Sequence, residues 1–193
     1  KKLSMQYPLI EIITGVLYLG VGFFINSVNP TDSRNLIALT YWLTIVSCLL
    51  VITVADLKYH IIPDEMLVIL LFATLLFGLL YDPTFLIWDR LSSAFILFSF
   101  FLLLVLITRG RGMGLGDVKY SFFMGLFLGS KKTLIGFYVA FLTGALLSLI
   151  LMIGGRAKMK SIIPFGPFLV FATLVASIYG DSLWIVFLRI VGL

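Results

Sequence analysis

The sequence is poor in charged residues, since Asp, Glu, Lys and Arg make up 12% of its 193 positions. A soluble domain carries about 25%, so a water-soluble globule of this size would have too few ionised groups to cover its surface. Disorder is excluded as well, because disordered chains combine high net charge with low hydrophobicity. Hydrophobic residues make up 61% of the chain, and the mean hydropathy is +1.16. These values predict an integral membrane protein.

Residues that bind metals or form disulfides are also scarce. The chain has one cysteine, Cys48, and one histidine, His60. A single cysteine forms neither an internal disulfide nor a CxxC metal site, and an isolated histidine does not predict a metal site. We interpret Cys48 as a buried small apolar residue and His60 as an interfacial loop residue. We expect no bound metal.

The apolar runs are continuous, as in residues 95–107 (FILFSFFLLLVLI). Alternation of apolar and polar residues would indicate a barrel, whereas continuous runs indicate transmembrane helices. The predicted fold is all-α, a polytopic transmembrane helix bundle of about seven spans, with residues 1–193 forming a single membrane-embedded domain. The predicted spans are 8–25, 36–55, 65–80, 91–107, 118–129, 133–153 and 162–180. Residues 181–193 are interpreted as too short for a further crossing.

The basic residues predict the orientation of the bundle. The net charge is +5, and nine basic residues fall on one predicted side against four on the other. The positive-inside rule then places the N-terminus, and the loops after spans two, four and six, in the cytoplasm. Lys131 and Lys132, on the external side, fit the rule least. We interpret the charge as setting orientation and meeting anionic lipid, not as binding nucleic acid.

Most of the nine acidic residues have a structural interpretation. Four fall in external polar turns, where we expect them to be solvated: Asp32, Asp82, Asp89 and Asp181. Two open the third span, where an acid caps a helix or suits its dipole: Asp64 and Glu65. Glu11 lies in the first apolar run, where it either reaches the interface or faces the bundle interior.

Asp56 and Asp117 remain as candidates for chemistry. They lie at the cytoplasmic ends of predicted spans two and five, at a similar depth. If these spans are neighbours, the two carboxyl groups meet, and such a pair shares one proton. It can then activate a water and protonate a leaving amine, as in aspartic proteases. The alternatives are that Asp117 only caps its helix and that Asp56 is an ordinary interfacial residue.

A glycine ladder precedes Asp117, in residues 110–117 (GRGMGLGD). Gly114 and Gly116 leave the backbone bare, so that a substrate peptide can approach closely and left-handed torsions are permitted. The alternative is a flexible loop. The spacing fits neither GxGxxG nor a phosphate-binding GK[ST] motif, so nucleotide binding is not predicted.

Four segments together resemble the type IV prepilin peptidase family, which belongs to the GxGD class of intramembrane aspartyl proteases. They are residues 7–11 (YPLIE), 56–64 (DLKYHIIPD), 114–119 (GLGDVK) and 163–169 (IPFGPFL). The resemblance implies that Asp56 and Asp117 are the catalytic pair and that Asp64 has no catalytic role. The PAL tripeptide expected of presenilin-like GxGD proteases is absent from the sequence.

The activity that this resemblance implies is that of an endopeptidase that removes the leader from type IV pilin or pseudopilin precursors. It would act at the cytoplasmic face of the bacterial inner membrane, in pilus assembly and protein secretion. Its expected partners are prepilin-like membrane proteins and the lipid bilayer. A proton-coupled transporter that uses the same two aspartates is the alternative, and a non-catalytic membrane scaffold is a third hypothesis.

The chain departs from the family in one respect. Many bacterial members carry two CxxC pairs before the YPLIE-like segment, and this sequence has only Cys48. Bifunctional members also N-methylate the new pilin N-terminus, and for this chain that activity stays open. We expect no cofactor for proteolysis, and S-adenosylmethionine only if methylation is retained.

Overall fold

The computed structural model describes residues 6–28, 35–81, 87–110, 113–155 and 164–192, and the regular structure within these ranges is entirely α-helical. Its seven helices are α1 (Gln6–Val28), α2 (Asn35–Tyr59), α3 (Asp64–Tyr81), α4 (Ile87–Thr108), α5 (Leu115–Leu128), α6 (Ser130–Ile153) and α7 (Gly166–Val191). This confirms the predicted all-α fold. The chain is a multi-pass membrane protein.

Five helices are long and apolar enough to cross a bilayer: α2, α3, α4, α6 and α7. The helix α1 contains a shorter apolar stretch, Ile10–Phe23. The helix α5 has 14 residues, which at 1.5 Å per residue is about 21 Å. That length is below the roughly 30 Å of hydrocarbon in a bilayer, so α5 is not counted among the spanning helices.

The helices are longer than the predicted spans, and the extensions of α2 and α7 change where particular residues lie. The helix α2 continues to Tyr59, so Asp56 lies inside a helix and not in the predicted loop. Leu57 and Lys58 are good helix formers, and no proline follows until Pro63. The helix α7 continues to Val191, so residues 181–191 belong to it and do not form a separate terminal segment.

Asp89 and Asp181 lie in helices, so the predicted turns are wrong for both, although the Asp181 side chain is 77% exposed, as expected of a solvated residue. Asp89 lies in the first turn of α4, and its Oδ2 accepts the Ser130 N–H at 3.1 Å at the start of α6. Asp181 lies within α7, and its carboxylate pairs with Lys132 Nζ at 2.8 Å. Asp32 and Asp82 fall outside the described residues.

The chain divides into two compact units, Lys1–Val51 and Ile52–Leu193. In the first unit the Tyr18 and Ser47 hydroxyls share a hydrogen bond of 2.5 Å. Cys48 is buried, as predicted, and the side chain of Glu11 is exposed. That these residues form one peptidase domain with the second unit stays a prediction.

The helix α5 is the centre of the second unit. It packs against α3, α4, α6 and α7, and most of its side chains are buried. The approach to α4 is close, because a Cβ on Gly125 would lie 2.4 Å from the Ala94 Cα. Ser93 Oγ also donates to the Gly125 carbonyl at 2.9 Å. Small residues and interhelical hydrogen bonds of this kind hold helices together within membranes.

Candidate active site

A cleft of about 550 Å³ opens at one end of the second unit, where α2 ends and where α3 and α5 begin. Its lining is rich in ionisable side chains and contains four of the nine acids of the sequence. The lining residues are Asp56, His60, Ile61, Ile62, Pro63, Asp64, Glu65, Gly114, Leu115, Gly116, Asp117 and Lys119.

Asp56 is buried near the end of α2, with 6% of its surface exposed. Its Oδ2 accepts the backbone N–H of Gly166 at 2.9 Å, across 110 positions of sequence. Gly166 is the first residue of α7, so this carboxyl group sits at the N-terminus of a second helix. A helix N-terminus stabilises negative charge and leaves N–H groups without intrahelical partners.

Asp117 is also buried, in the first turn of α5, and its Oδ2 accepts the Gly114 N–H at 3.1 Å. Asp117 therefore caps the start of α5. Burial raises the pKa of Asp117, the Gly114 N–H lowers it and the negative charge of Asp56 raises it, with a resulting value of about 6. Both carboxyl groups line the same cleft, and Asp117 holds a proton below about pH 6.

Gly114 and Gly116 do not use the left-handed torsions that we expected, whereas Gly110, at the start of the ladder, has a φ of 71°. Gly114 has a φ of −82°, and Gly116 is not among the glycines with positive φ. Instead, Gly114 donates its N–H to Asp117, and Gly116 makes room for Ile62. A Cβ on Gly116 would lie 3.1 Å from the Ile62 Cβ. That either glycine contacts a substrate stays a prediction.

Asp64 has a cation as its partner. Lys119 Nζ donates to both of its carboxylate oxygens, at 2.8 and 2.7 Å, and both side chains are largely exposed. The sequence predicts a helix cap at this position, and the ion pair was not predicted. Among the described residues, only the backbone donors Gly166 and Gly114 hydrogen-bond to the carboxyls of Asp56 and Asp117. Asp64 thus differs from the two buried acids.

His60 is exposed, as expected of an interfacial residue, and follows the end of α2 with a φ of 55°. Its N–H donates to the Asp56 carbonyl oxygen at 2.9 Å, which closes the helix. Within the part of the chain that the structure describes, no group of three or more His, Cys, Asp or Glu side chains is arranged to hold a metal ion.

Two further contacts of the site were not predicted. One is the Gly166–Asp56 hydrogen bond, which lies in the IPFGPFL segment, where two prolines and a glycine break regular helix hydrogen bonding. The other joins α5 to α7, where the buried Tyr120 hydroxyl donates to Thr173 Oγ1 at 3.0 Å. No local pattern reveals either contact, because each joins helices that are distant in sequence.

These features define a helical, multi-pass membrane protein with two buried carboxyl groups at one cleft. The profile described as the type IV leader peptidase family matches residues 42–149, which is more than half of the chain. The chain therefore belongs to the type IV leader peptidase family.

Relatives named prepilin leader peptidase/N-methyltransferase match nearly the whole chain. The protein of Aeromonas salmonicida (strain A449) is 30% identical over 187 residues, covering 94% of this chain and 60% of the relative. That of Bacillus subtilis (strain 168) is 29% identical over 184 residues, covering 94% and 69%. That of Pseudomonas aeruginosa is 28% identical over 193 residues, covering 98% and 64%. The chain thus spans less than two thirds of the Aeromonas relative, and no solved structure matches it.

Proposed function

We propose that this chain is a leader peptidase that hydrolyses the peptide bond between the leader and the hydrophobic helix of a prepilin-like membrane protein. The observation that carries the proposal is the pair of buried carboxyl groups at one cleft, each held by a single backbone N–H. Ionisable groups are costly at membrane depth and are therefore concentrated at functional sites. Family membership and the names of the relatives support the substrate class.

Asp56 and Asp117 carry the chemistry in this proposal. The pair shares one proton, since two adjacent carboxylates do not both stay ionised. The ionised member takes a proton from a water molecule, whose oxygen bonds to the carbonyl carbon of the scissile peptide. The protonated member gives its proton to the leaving nitrogen as the tetrahedral intermediate collapses. One water is consumed, and the products are the carboxylate of the leader and a new N-terminal amine.

The position of the cleft suits such a substrate. It lies at one end of the spanning helices, so water can reach the carboxyl pair while the substrate helix stays in the bilayer. In this proposal Gly114 and Gly116 line the path of the scissile backbone, and the cleft faces the cytoplasm of a bacterial inner membrane. Hydrolysis needs no cofactor, and S-adenosylmethionine is needed only if the chain also methylates the new N-terminus.

The test is cleavage of a prepilin-like substrate by the chain reconstituted in liposomes. Asp56→Asn and Asp117→Asn should each lower kcat by about 10²–10⁴-fold, the usual contribution of a general acid or base. Asp64→Asn is the matched control at the same cleft and should keep kcat within about fivefold, since an exposed ion pair contributes 0–1 kcal/mol. Full activity in either of the first two variants would exclude the pair. Proton flux without cleavage would favour the transporter instead.

A further inference from the structure

Gly166 opens α7 and makes the one hydrogen bond that the Asp56 carboxyl receives from the described residues. We propose that Gly166 is a positioning residue for hydrolysis, and that it fixes Asp56 Oδ2 so that Oδ1 is presented to Asp117 and the water. This inference rests on the peptidase function proposed above. It assigns a role to a residue outside the two aspartate motifs.

The N–H of Gly166 is the donor that the start of α7 directs toward Asp56. Pro167 has no N–H, and the N–H groups of Phe168 and Leu169 donate to the Phe165 carbonyl oxygen, at 3.0 and 3.2 Å. The Gly166 N–H instead points out of the helix and is satisfied by Asp56. The first turn of α7 is therefore arranged to give one backbone donor to one carboxyl oxygen.

The position requires a glycine. A Cβ on residue 166 would lie 2.5 Å from Asp56 Oδ2 and 3.0 Å from its Cγ, so any side chain would push the carboxyl group away. The backbone is held from the other side by Phe165, whose ring lies 6.2 Å from that of the fully buried Phe101 and 5.3 Å from that of Phe141. Close packing on both sides leaves the start of α7 little room to retreat.

The helix α7 is also fixed relative to Asp117, which lies in α5. Tyr120, one turn after Asp117, donates its hydroxyl to Thr173 Oγ1 at 3.0 Å. Thr173 in turn donates to the Leu169 carbonyl oxygen at 2.7 Å, one turn after Gly166. The two anchoring glycines, Gly114 and Gly166, thus start two helices that are locked together. Each donates its N–H to Oδ2 of its aspartate, and Oδ1 accepts no hydrogen bond from the described residues. In the proposal, Oδ1 is therefore the oxygen that meets the proton, the water and the substrate.

The first test is steady-state kinetics of Gly166→Ala in the full chain. A displacement of about 1 Å at a catalytic group is enough for a loss of 10²-fold, so kcat should fall by about that factor or more. KM should change by less than about threefold, because the substrate path is untouched. Gly20→Ala, whose added Cβ has no neighbour within 4 Å, should keep wild-type kinetics.

A second control separates positioning from general crowding. A Cβ on Gly136 would lie 2.4 Å from the Met124 Cε, which is inside the bundle and not at the cleft. Gly136→Ala should lower Tm and leave the kcat of the folded protein unchanged. If Gly166→Ala behaves like Gly136→Ala, with lower Tm and normal kcat, Gly166 is only a packing residue and the proposal is overturned.

The second test needs no catalysis and remains informative where Gly166→Ala folds poorly. Asp56→Ala removes the carboxyl group that the new Cβ would strike, so Gly166→Ala should lower Tm much less in the Asp56→Ala background than in the wild type. Equal losses of Tm in both backgrounds would mean that the two residues are not coupled, which overturns the proposal. Coupling in Tm, in a wild-type chain that cleaves no prepilin-like substrate, would instead overturn the peptidase function and leave the contact standing.

Discussion

The two ends of α5 use the same device, an acid at the start of a helix, for different purposes. At the end remote from the cleft, Asp89 accepts the N–H of Ser130, and Arg90 donates to the carbonyl oxygens of Leu126 and Phe127. There the acid meets the N-terminus of α6, and the cation meets the C-terminus of α5, which is the arrangement that helix dipoles favour. At the cleft end, Asp117 and Asp56 meet helix N-termini in the same way, but the charge nearby is a second acid.

At each end of α5 a lysine pairs with an exposed acid. Lys132 pairs with Asp181 at the remote end, and Lys119 pairs with Asp64 at the cleft. Neither lysine pairs with the two buried carboxyl groups. An acid whose charge is balanced stabilises a helix end. In the proposed function, the two buried acids at the cleft end instead share a proton and carry the chemistry.

The largest expected effect is on kcat, which we compare for variants of the acid at the cleft end of α5 and of the acid at its remote end. Asp117→Asn should lower kcat by about 10²–10⁴-fold, and Asp89→Asn should keep kcat within about threefold, because an amide oxygen still caps α6. The measurement is leader cleavage in liposomes, normalised to folded protein. A loss of activity in Asp89→Asn as large as that in Asp117→Asn would abolish the distinction between the two ends.

The next effect is the pH dependence of stability. The pKa of Asp117 is raised to about 6, so the folded chain holds this proton more tightly than the unfolded chain. Stability should therefore fall as pH rises from about 4 to 6 and stay low above that. Asp117→Asn should raise the free energy of unfolding by about 1–3 kcal/mol at pH 8 and leave it unchanged at pH 4.

Thermal unfolding of the two proteins in detergent at pH 4, 6 and 8 measures this difference. Asp64→Asn serves as the control at the same cleft, since Asp64 is largely exposed and has Lys119 as its partner. If Asp117→Asn is less stable than the wild type at pH 8, the charged form of Asp117 stabilises the fold, and the contrast with Asp89 fails.

A smaller effect is expected at the contact that locks the cleft end of α5 to α7. Tyr120→Phe removes the hydrogen bond to Thr173 Oγ1 and leaves both aromatic packing and the Thr173–Leu169 bond in place. The loss of stability should be about 0.5–1.5 kcal/mol. Comparison with Thr173→Val and with the double variant gives the coupling energy between the two residues. A coupling energy of zero would show that this hydrogen bond does not hold α5 to α7.

The smallest effects belong to the exposed ion pairs. Lys119→Ala at the cleft and Lys132→Ala at the remote end should each change stability by about 0–1 kcal/mol, and less at high salt. Unfolding at low and high ionic strength measures both. A loss of several kcal/mol at Lys119 alone would show that its charge also supports the buried carboxyl pair.

Much of this molecule could be predicted because charge is so scarce in it. Of the nine acids in 193 residues, seven have structural interpretations as turn, cap or interfacial residues. The remaining two, Asp56 and Asp117, both line the same cleft. The end of α2 was misplaced although local helix propensity favours its last turn, and the end of α7 was misplaced because a polar residue there has a tertiary partner. Asp181 interrupts an apolar pattern, yet it stays helical within α7 while its carboxylate pairs with Lys132 on α6.

The sequence by itself determined the membrane environment, the helical class and the two aspartates, because hydropathy and the high cost of buried charge are properties of single residues and local runs. Only the tertiary structure decided what holds these aspartates. The Gly166–Asp56 bond joins positions 110 apart, and the Tyr120–Thr173 bond joins positions 53 apart. Such pairings depend on which helices become neighbours, and that is fixed by the packing of the whole bundle around α5.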